Sequence, residues 1–159
     1  MSQIFEFDRG SLHVVFERTD GDEVRLLHFS ALPFTEPSVH DRCQSLIEIQ
    51  ISGENHADNQ TKKYTGTLPG TRLRYVTLRE IPLPDGCRIE IDLTDSATGL
   101  FVTYHMQLFD AVPVARVWAT LVNKGAVPLT LTFVSTFALW GLTRETPEAW
   151  TDTAILHIP

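Results

Sequence analysis

The sequence predicts an all-β protein, an antiparallel β-sandwich, on three observations. Apolar residues recur at every second position in one segment after another, the period of a strand with one covered face. Clusters of Gly, Pro, Asn and Asp punctuate those segments. No segment carries a convincing amphipathic-helix pattern. Many short strands at near-regular spacing fold as a sandwich or a barrel-like sheet.

Leu12, Val14 and Phe16 share one face, with His13 and Glu17 on the other. In residues 46–51, Ile47, Ile49 and Ile51 alternate with Glu48 and Gln50. In residues 88–93, Ile89, Ile91 and Leu93 alternate with Glu90 and Asp92. The segment "GLFVTYHMQLF" places Leu100, Val102, Tyr104, Met106 and Leu108 on one side. Two later segments, "PVARVWATLVN" and "PLTLTFVSTFALWGL", are apolar on both faces and read as central or fully covered strands. Turn signals lie at Asp20-Gly21, residues 33–37, Pro84-Asp85-Gly86, residues 95–99 and Asn123-Lys124-Gly125. The last of these reads as the turn of a hairpin, "LVNKGAVPLTL". The total is about eight or nine strands, with no internal repeat and no low-complexity segment.

Length and composition set bounds. A chain of 159 residues, 43% hydrophobic and 21% charged, is a single domain or part of a larger protein, with enough chain for a sizeable core. The net charge of −7, with no basic run longer than Lys62-Lys63, argues against a nucleic-acid partner. No apolar run approaches the roughly 20 residues that span a bilayer, so no membrane partner is expected. The opening "MSQIFEFDRG" lacks a signal-peptide pattern. Cys43 and Cys87 could form one bridge, but two free thiols in a reducing cytoplasm are the expectation. The tail "LTRETPEAWTDTAILHIP" loses the alternation. It reads as the edge of a piece cut from something longer, the alternative being a terminus packed against the sheet.

The segment that asks for a function is "SGENHADNQTKKYTGTLPG", residues 52–70. A stretch this long without alternation is uncommon inside a compact domain and often functional. Asn55, His56, Asp58, Asn59, Lys62 and Lys63 could donate to and accept from the paired hydroxyls of a sugar, and Tyr64 could stack on a sugar face. The competing reading is a solvated crossover whose Asn and Asp residues cap their own turns. The spacing matches neither a calcium loop nor a His-x-x-x-His helix pair, so no metal is expected.

Other candidates are weaker. His105 lies mid-strand and reads as a sheet-surface or satisfied core histidine. Trp118 and Trp140 lie in apolar strands and are expected in the core, while Trp150 could pack on a missing partner. There is no Gly-x-Ser-x-Gly elbow and no glycine-rich phosphate loop. No acid pair or triad has a spacing that marks it as catalytic, and no cofactor is implied.

Taken together, "LIEIQISGENHADNQTKKYTGTLPGTRLRYV" and "GLFVTYHMQLFDAVPVARVWATLVNKGAVPLTLTFVSTFALWGL" resemble the N-terminal domain of the glycoside hydrolase family 36 α-galactosidases, or melibiases. The matching features are the Gly-Glu-Asn loop followed by Lys-x-Thr-Gly, the "RYV" strand, "YHMQLFDAVPVARVW", the "VNKG" turn and "VSTFAL". The opening "IFEFDRGSLHVVF" and "DEVRLLHFSAL" are similar too, so the resemblance covers nearly the whole chain. Family members often carry histidines where this chain has Asn59, Gln60 and Tyr64.

The resemblance implies that residues 1–159 are a β-sandwich domain, or part of one, supersandwich-like and followed in a longer parent by a catalytic (β/α)8 barrel. Two barrel aspartates would hydrolyse terminal α-galactosides with retention. A barrel needs roughly 200 residues or more, so no catalytic residue is assigned to this chain. The resemblance further implies a bracing role beside the barrel, a loop near the substrate entrance and a homo-oligomer. A free-standing carbohydrate-binding module and a pure assembly domain are the alternatives.

Overall fold

The computed structural model describes residues 2–34, 45–54 and 65–138. Among them the chain forms β1 (Gln3–Arg9), β2 (Leu12–Arg18), β3 (Val24–Ser30), β4 (Glu48–Ile51), α1 (Leu68–Arg72), β5 (Arg74–Leu83), β6 (Gly86–Asp95), β7 (Leu100–Phe109), β8 (Ala115–Asn123) and β9 (Leu131–Ser135). These strands form three sheets, ordered β1-β2-β3, β4-β9 and β5-β6-β7-β8. Every pairing is antiparallel.

The alternating segments behave as strands with one covered face. Ile89, Ile91 and Leu93 of β6 and Leu100, Val102, Tyr104, Met106 and Leu108 of β7 form one buried layer. Val14 and Phe16 of β2, Leu26 of β3 and Ile49 of β4 pack into the same core. The Phe16 and Tyr104 rings meet edge to face at 6.2 Å, a favoured aromatic geometry. This is the all-β sandwich expected from the sequence. The turns at Asp20-Gly21, Pro84-Asp85-Gly86 and residues 95–99 also lie where expected.

Four expectations are corrected. First, β8 and β9 are not a hairpin. β8 pairs with β7, and β9 pairs with β4, from Glu48↔Ser135 to Ile51↔Leu131. The Asn-Lys-Gly turn does form, with the Gly125 amide donating to Asn123 Oδ1 at 2.9 Å. Its next donor, the Lys124 amide, is taken by Gly99 O at 2.9 Å in the neighbouring β6–β7 turn. Pro128, which has no N–H, follows before the chain passes to the other sheet.

Second, β8 and β9 are not fully covered. Each has a single strand partner among the described residues, and both expose apolar side chains. Third, Trp118 is only half-buried. Its position on β8 puts it on the outer face of the four-stranded sheet, so it is not a core residue. Fourth, the segment 52–70 is not wholly irregular, because α1 begins at Leu68. Cys87 is free and buried. Cys43, Trp140, Trp150 and the tail lie outside the described residues.

Candidate functional site

The seven residues expected to contact sugar, Asn55, His56, Asp58, Asn59, Lys62, Lys63 and Tyr64, lie outside the described residues. Both ends of their segment are described, and both are tied down. On the outgoing side, the Ser52 amide donates to Thr130 O at 2.9 Å, just beyond the last residue of β4. Gly53 then turns the chain with φ +90, a conformation that costs little only for glycine. The Glu54 amide closes the turn onto Ile51 O at 3.0 Å.

The returning side is held by a buried carboxylate. Glu48 is 1% exposed, although it occupies the polar phase of an alternating strand. Its Oε1 accepts from the Gly66 amide at 2.9 Å. Its Oε2 accepts from the Thr67 amide at 3.0 Å and from the Thr67 hydroxyl at 2.6 Å. Burying a carboxylate is costly unless hydrogen bonds replace its water, and three donors do so here. Thr67 Oγ1 in turn accepts from the Ile49 amide and from the Gly70 amide, both at 3.2 Å. Thr67 is thereby the N-cap of α1, with Pro69 in its first turn. Gly70 is required for the close approach. A Cβ there would lie 2.6 Å from Thr67 Oγ1, 2.9 Å from Glu48 Oε2 and 3.0 Å from Ile47 O.

The other end of α1 reaches back to the outgoing side. Arg72 Nη1 donates to Glu54 Oε2 at 3.0 Å. Its Nε and Nη2 donate to Asp95 at 3.1 and 2.8 Å. Asp95, the last residue of β6, is buried and also accepts from the Ala97 amide and the Thr98 hydroxyl. Burial alone would lower the Arg72 pKa, but the hydrogen bonds it donates to Asp95 and Glu54 prevail and raise it. One helical turn is therefore tied through Arg72 to Glu54 and Asp95 and through Thr67 to Glu48.

A cleft of about 350 Å³ lies alongside, between β3 and α1, with Leu46, Ile47 and Leu93 among its apolar residues. Glu48 and Thr71 line it too.

A second polar cluster covers the outer face of the four-stranded sheet. Arg79 donates to Asp92 and Glu90 at 2.6 and 3.0 Å, and the Thr103 hydroxyl donates to Asp92 at 2.8 Å. Burial alone would raise both carboxylate pKa values, but Arg79 pulls both below the ordinary range. The His105 ring stacks on Trp118 at 4.9 Å, with Arg116 over the same indole at 5.3 Å. Nδ1 of His105 sits 3.2 Å from Glu90. Burial holds the His105 pKa below its ordinary value, against the opposing pull of Glu90. His105 is thus a paired sheet-face histidine. Among the described residues no group of acids, histidines and cysteines is placed to hold a metal ion.

Sequence reasoning missed Glu48, Thr67, Gly70 and Arg72. The stretch "TLPG" did carry a cap signal, a threonine followed two residues later by proline. Glu48 carried none, since an acid opposite an apolar face looks solvated.

No protein-family model matches the chain, and no curated protein matches it. Solved structures do. The α-galactosidase AgaA of Geobacillus stearothermophilus, from glycoside hydrolase family 36, aligns with a TM-score of 0.58 at 15% identity, over 81% of this chain and 23% of that one. A double variant of AgaA in complex with raffinose gives 0.57 at 17% identity, with the same coverage. AgaB of the same organism gives 0.55 at 18% identity, over 80% of this chain and 22% of that one.

This chain has the fold of part of a family 36 α-galactosidase. It spans less than a quarter of the length of those enzymes. At these identities the family 36 likeness is one of backbone architecture, as expected where burial pattern rather than residue identity specifies a sandwich. Among the described residues no helix is long and apolar enough to cross a membrane.

Proposed function

We propose that the chain is the N-terminal, non-catalytic β-sandwich region of an α-galactosidase-like glycoside hydrolase. The observation that carries the reading is the coverage: four-fifths of this chain aligns with less than a quarter of a family 36 enzyme. The remaining length of such a parent would hold a (β/α)8 barrel, with two carboxylates that hydrolyse terminal α-galactosides with retention. That chemistry needs no cofactor. In this reading the sandwich, the early part of a supersandwich, braces the barrel. Asn55, His56, Asp58, Asn59, Lys62, Lys63 and Tyr64 approach the substrate entrance, and the parent is a homo-oligomer. The free, buried thiol of Cys87 suits a reducing compartment, so the cytoplasm is the proposed location.

One observation favours a second reading, a free-standing carbohydrate-binding module. Trp118 presents a half-buried indole on the outer sheet face, stacked on His105 and beside Arg116, and an aromatic ring with polar neighbours there can meet a sugar.

The parent reading frame separates the two. A frame running on through a barrel with two suitably placed aspartates supports the enzyme reading. The isolated 159-residue chain should then show no activity on a nitrophenyl α-galactoside beyond that of a mock preparation. Activity of the isolated chain would refute the proposal. A stop codon after Pro159, with binding to immobilised α-galactoside abolished by Trp118→Ala, would replace it with the module reading.

A further inference from the structure

The outer face of the four-stranded sheet carries a charge opposite to that of the whole chain. Strand register places Arg74, Arg79, Arg88 and Arg116 on that face. Lys124 reaches onto it, with Nζ 3.3 Å from the centroid of the Phe101 ring. Glu90 and Asp92 are the acids at the outward positions of these strands. The face therefore holds five cations against two carboxylates, in a chain whose net charge is −7. The carboxylates also form the lower layer of the face. The Glu90 and Asp92 side chains are 12% and 11% exposed, beneath an Arg79 side chain that is 43% exposed.

What the face shows to solvent is thus guanidinium and aromatic ring. Arg79 makes three hydrogen bonds to Asp92 and Glu90, and a guanidinium has five N–H groups, so it can serve a further carboxylate from outside. Arg116 and Lys124 lie over the rings of Trp118 and Phe101, and among the described residues neither is in a salt bridge. Arginine beside half-buried aromatic rings is the composition of an interface centre rather than of ordinary solvated surface. Register sets Arg88, Gln107 and Arg116 in one row across β6, β7 and β8, so these two guanidiniums start from backbones about 10 Å apart. The guanidinium fork matches a carboxylate through paired hydrogen bonds. A long polyanion would meet the repulsion of the whole chain, and of Glu90 and Asp92 within the face. A protein surface can instead offer a few carboxylates at the positions of the arginines.

We propose that the outer face of the four-stranded sheet docks an acidic protein surface, whose carboxylates pair with Arg79, Arg88 and Arg116 around the Trp118 and Phe101 rings. The inference goes beyond the hydrolase reading and does not rest on it, because every residue it uses lies on one sheet of this chain. Glu90 and Asp92 hold the Arg79 guanidinium before the partner arrives, so less side-chain freedom is lost on docking.

The test uses the 159-residue chain, kept dilute enough to be monomeric. The probe is a fluorescein-labelled peptide of alternating Glu and Ser, about ten residues long, enough to cross the sheet. The chain as a whole repels this probe, so binding reports a local surface. Fluorescence anisotropy at low salt should show binding that weakens as salt screens the pairs. A peptide of alternating Gln and Ser should not bind. Arg116→Ala removes a side chain with no salt bridge among the described residues, so the fold should be kept while affinity falls about fivefold. Arg116→Glu should abolish binding. Arg9→Ala makes the same change in net charge on β1, where Arg9 pairs with Glu80 and Asp110, and should leave affinity at its wild-type value. Absence of binding at low salt refutes the proposal. So does binding that Arg116→Glu leaves intact, that Arg9→Ala weakens equally, or that the Gln and Ser peptide reproduces. A single-stranded DNA of equal charge that binds more tightly than the acidic peptide would assign the face to phosphate and overturn the proposal. If Arg116→Glu instead abolishes self-association of the concentrated chain, the face belongs to a second copy and the proposal falls.

Discussion

β6 and β7 cover one face completely, whereas β8 and β9 leave apolar side chains in the open. Every inward residue of β7, from Leu100 to Leu108, is at most 2% exposed. By contrast the inward residues of β8, Val117, Ala119 and Leu121, are only partly buried, Val122 on its outward face is 44% exposed, and Leu131 on β9 is 42% exposed. The apolar content of the two pairs does not explain this, since β8 and β9 are at least as apolar by sequence. Position does. β6 and β7 have strand neighbours on both edges and a second layer above them, while β8 and β9 are edge strands of separate sheets. Strands that are apolar on both faces but half open are strands whose cover is not supplied by the described residues. Such surface is where a further layer or another copy packs.

The largest effect that sharpens the contrast comes from truncating an inward residue of β6 and an outward residue of β8. Ile91→Ala on β6 should cost about 2–5 kcal/mol in denaturant unfolding, because it opens a cavity in a closed core. Val122→Ala on β8 should change stability by no more than about 0.5 kcal/mol, like a surface substitution. Trp118→Ala should fall between them, about 1–2 kcal/mol, through loss of its stack on His105 and its contact with Arg116. Equal losses at Ile91 and Val122 would remove the distinction between the two strand pairs.

Association should come next in size. The isolated chain should self-associate as its concentration rises, and a Val114→Lys, Val122→Lys double variant should scatter light as a monomer at the same concentration. Placing charge on an open apolar edge is a common way to prevent such pairing. A wild-type chain that stays strictly monomeric at high concentration would mean that β8 and β9 need no cover.

The smallest effect is in pH. His105 has a folded pKa below its ordinary value near 6.5, mainly through burial, so the fold favours the neutral ring. As pH falls below about 6.5 the unfolded chain takes up this proton first, and stability declines. Glu90 and Asp92, held low by Arg79 against the effect of burial, act in the same direction further down. Their contribution is complete above the ordinary carboxylate range and is lost as pH falls through their lowered folded values. Urea midpoints should thus be level from pH 8 to about 7, fall gently to about 5, and fall faster below about 4.5. His105→Gln should remove the upper step and keep the lower one. An unchanged curve in that variant would assign the upper step to another group.

Strand existence was legible in the sequence because burial on one face imposes a period of two, and each of the alternating segments read that way is a strand. Turn positions were legible for the same local reason, since Asp-Gly and Asn-Lys-Gly bend the backbone wherever they stand. Of the candidate site, only its outline was legible. A long polar segment between two strands marks itself by breaking the alternation, but the groups that hold its ends do not. Glu48 reads as a solvated acid, Arg72 as a surface cation and Gly70 as part of a turn.

The sequence by itself determined the all-β class, the sandwich and the positions of the alternating strands and several of their turns, because those follow from side-chain period and local backbone preference. Only the tertiary structure decided that the turn at residues 123–125 crosses between sheets, since the partner of β9 is β4, some 80 residues away by number. It also decided that Glu48 is buried. A strand's own period says which face a residue points to, while the element laid over that face, here the turn of α1 with its amides aimed at the carboxylate, decides whether the residue meets water.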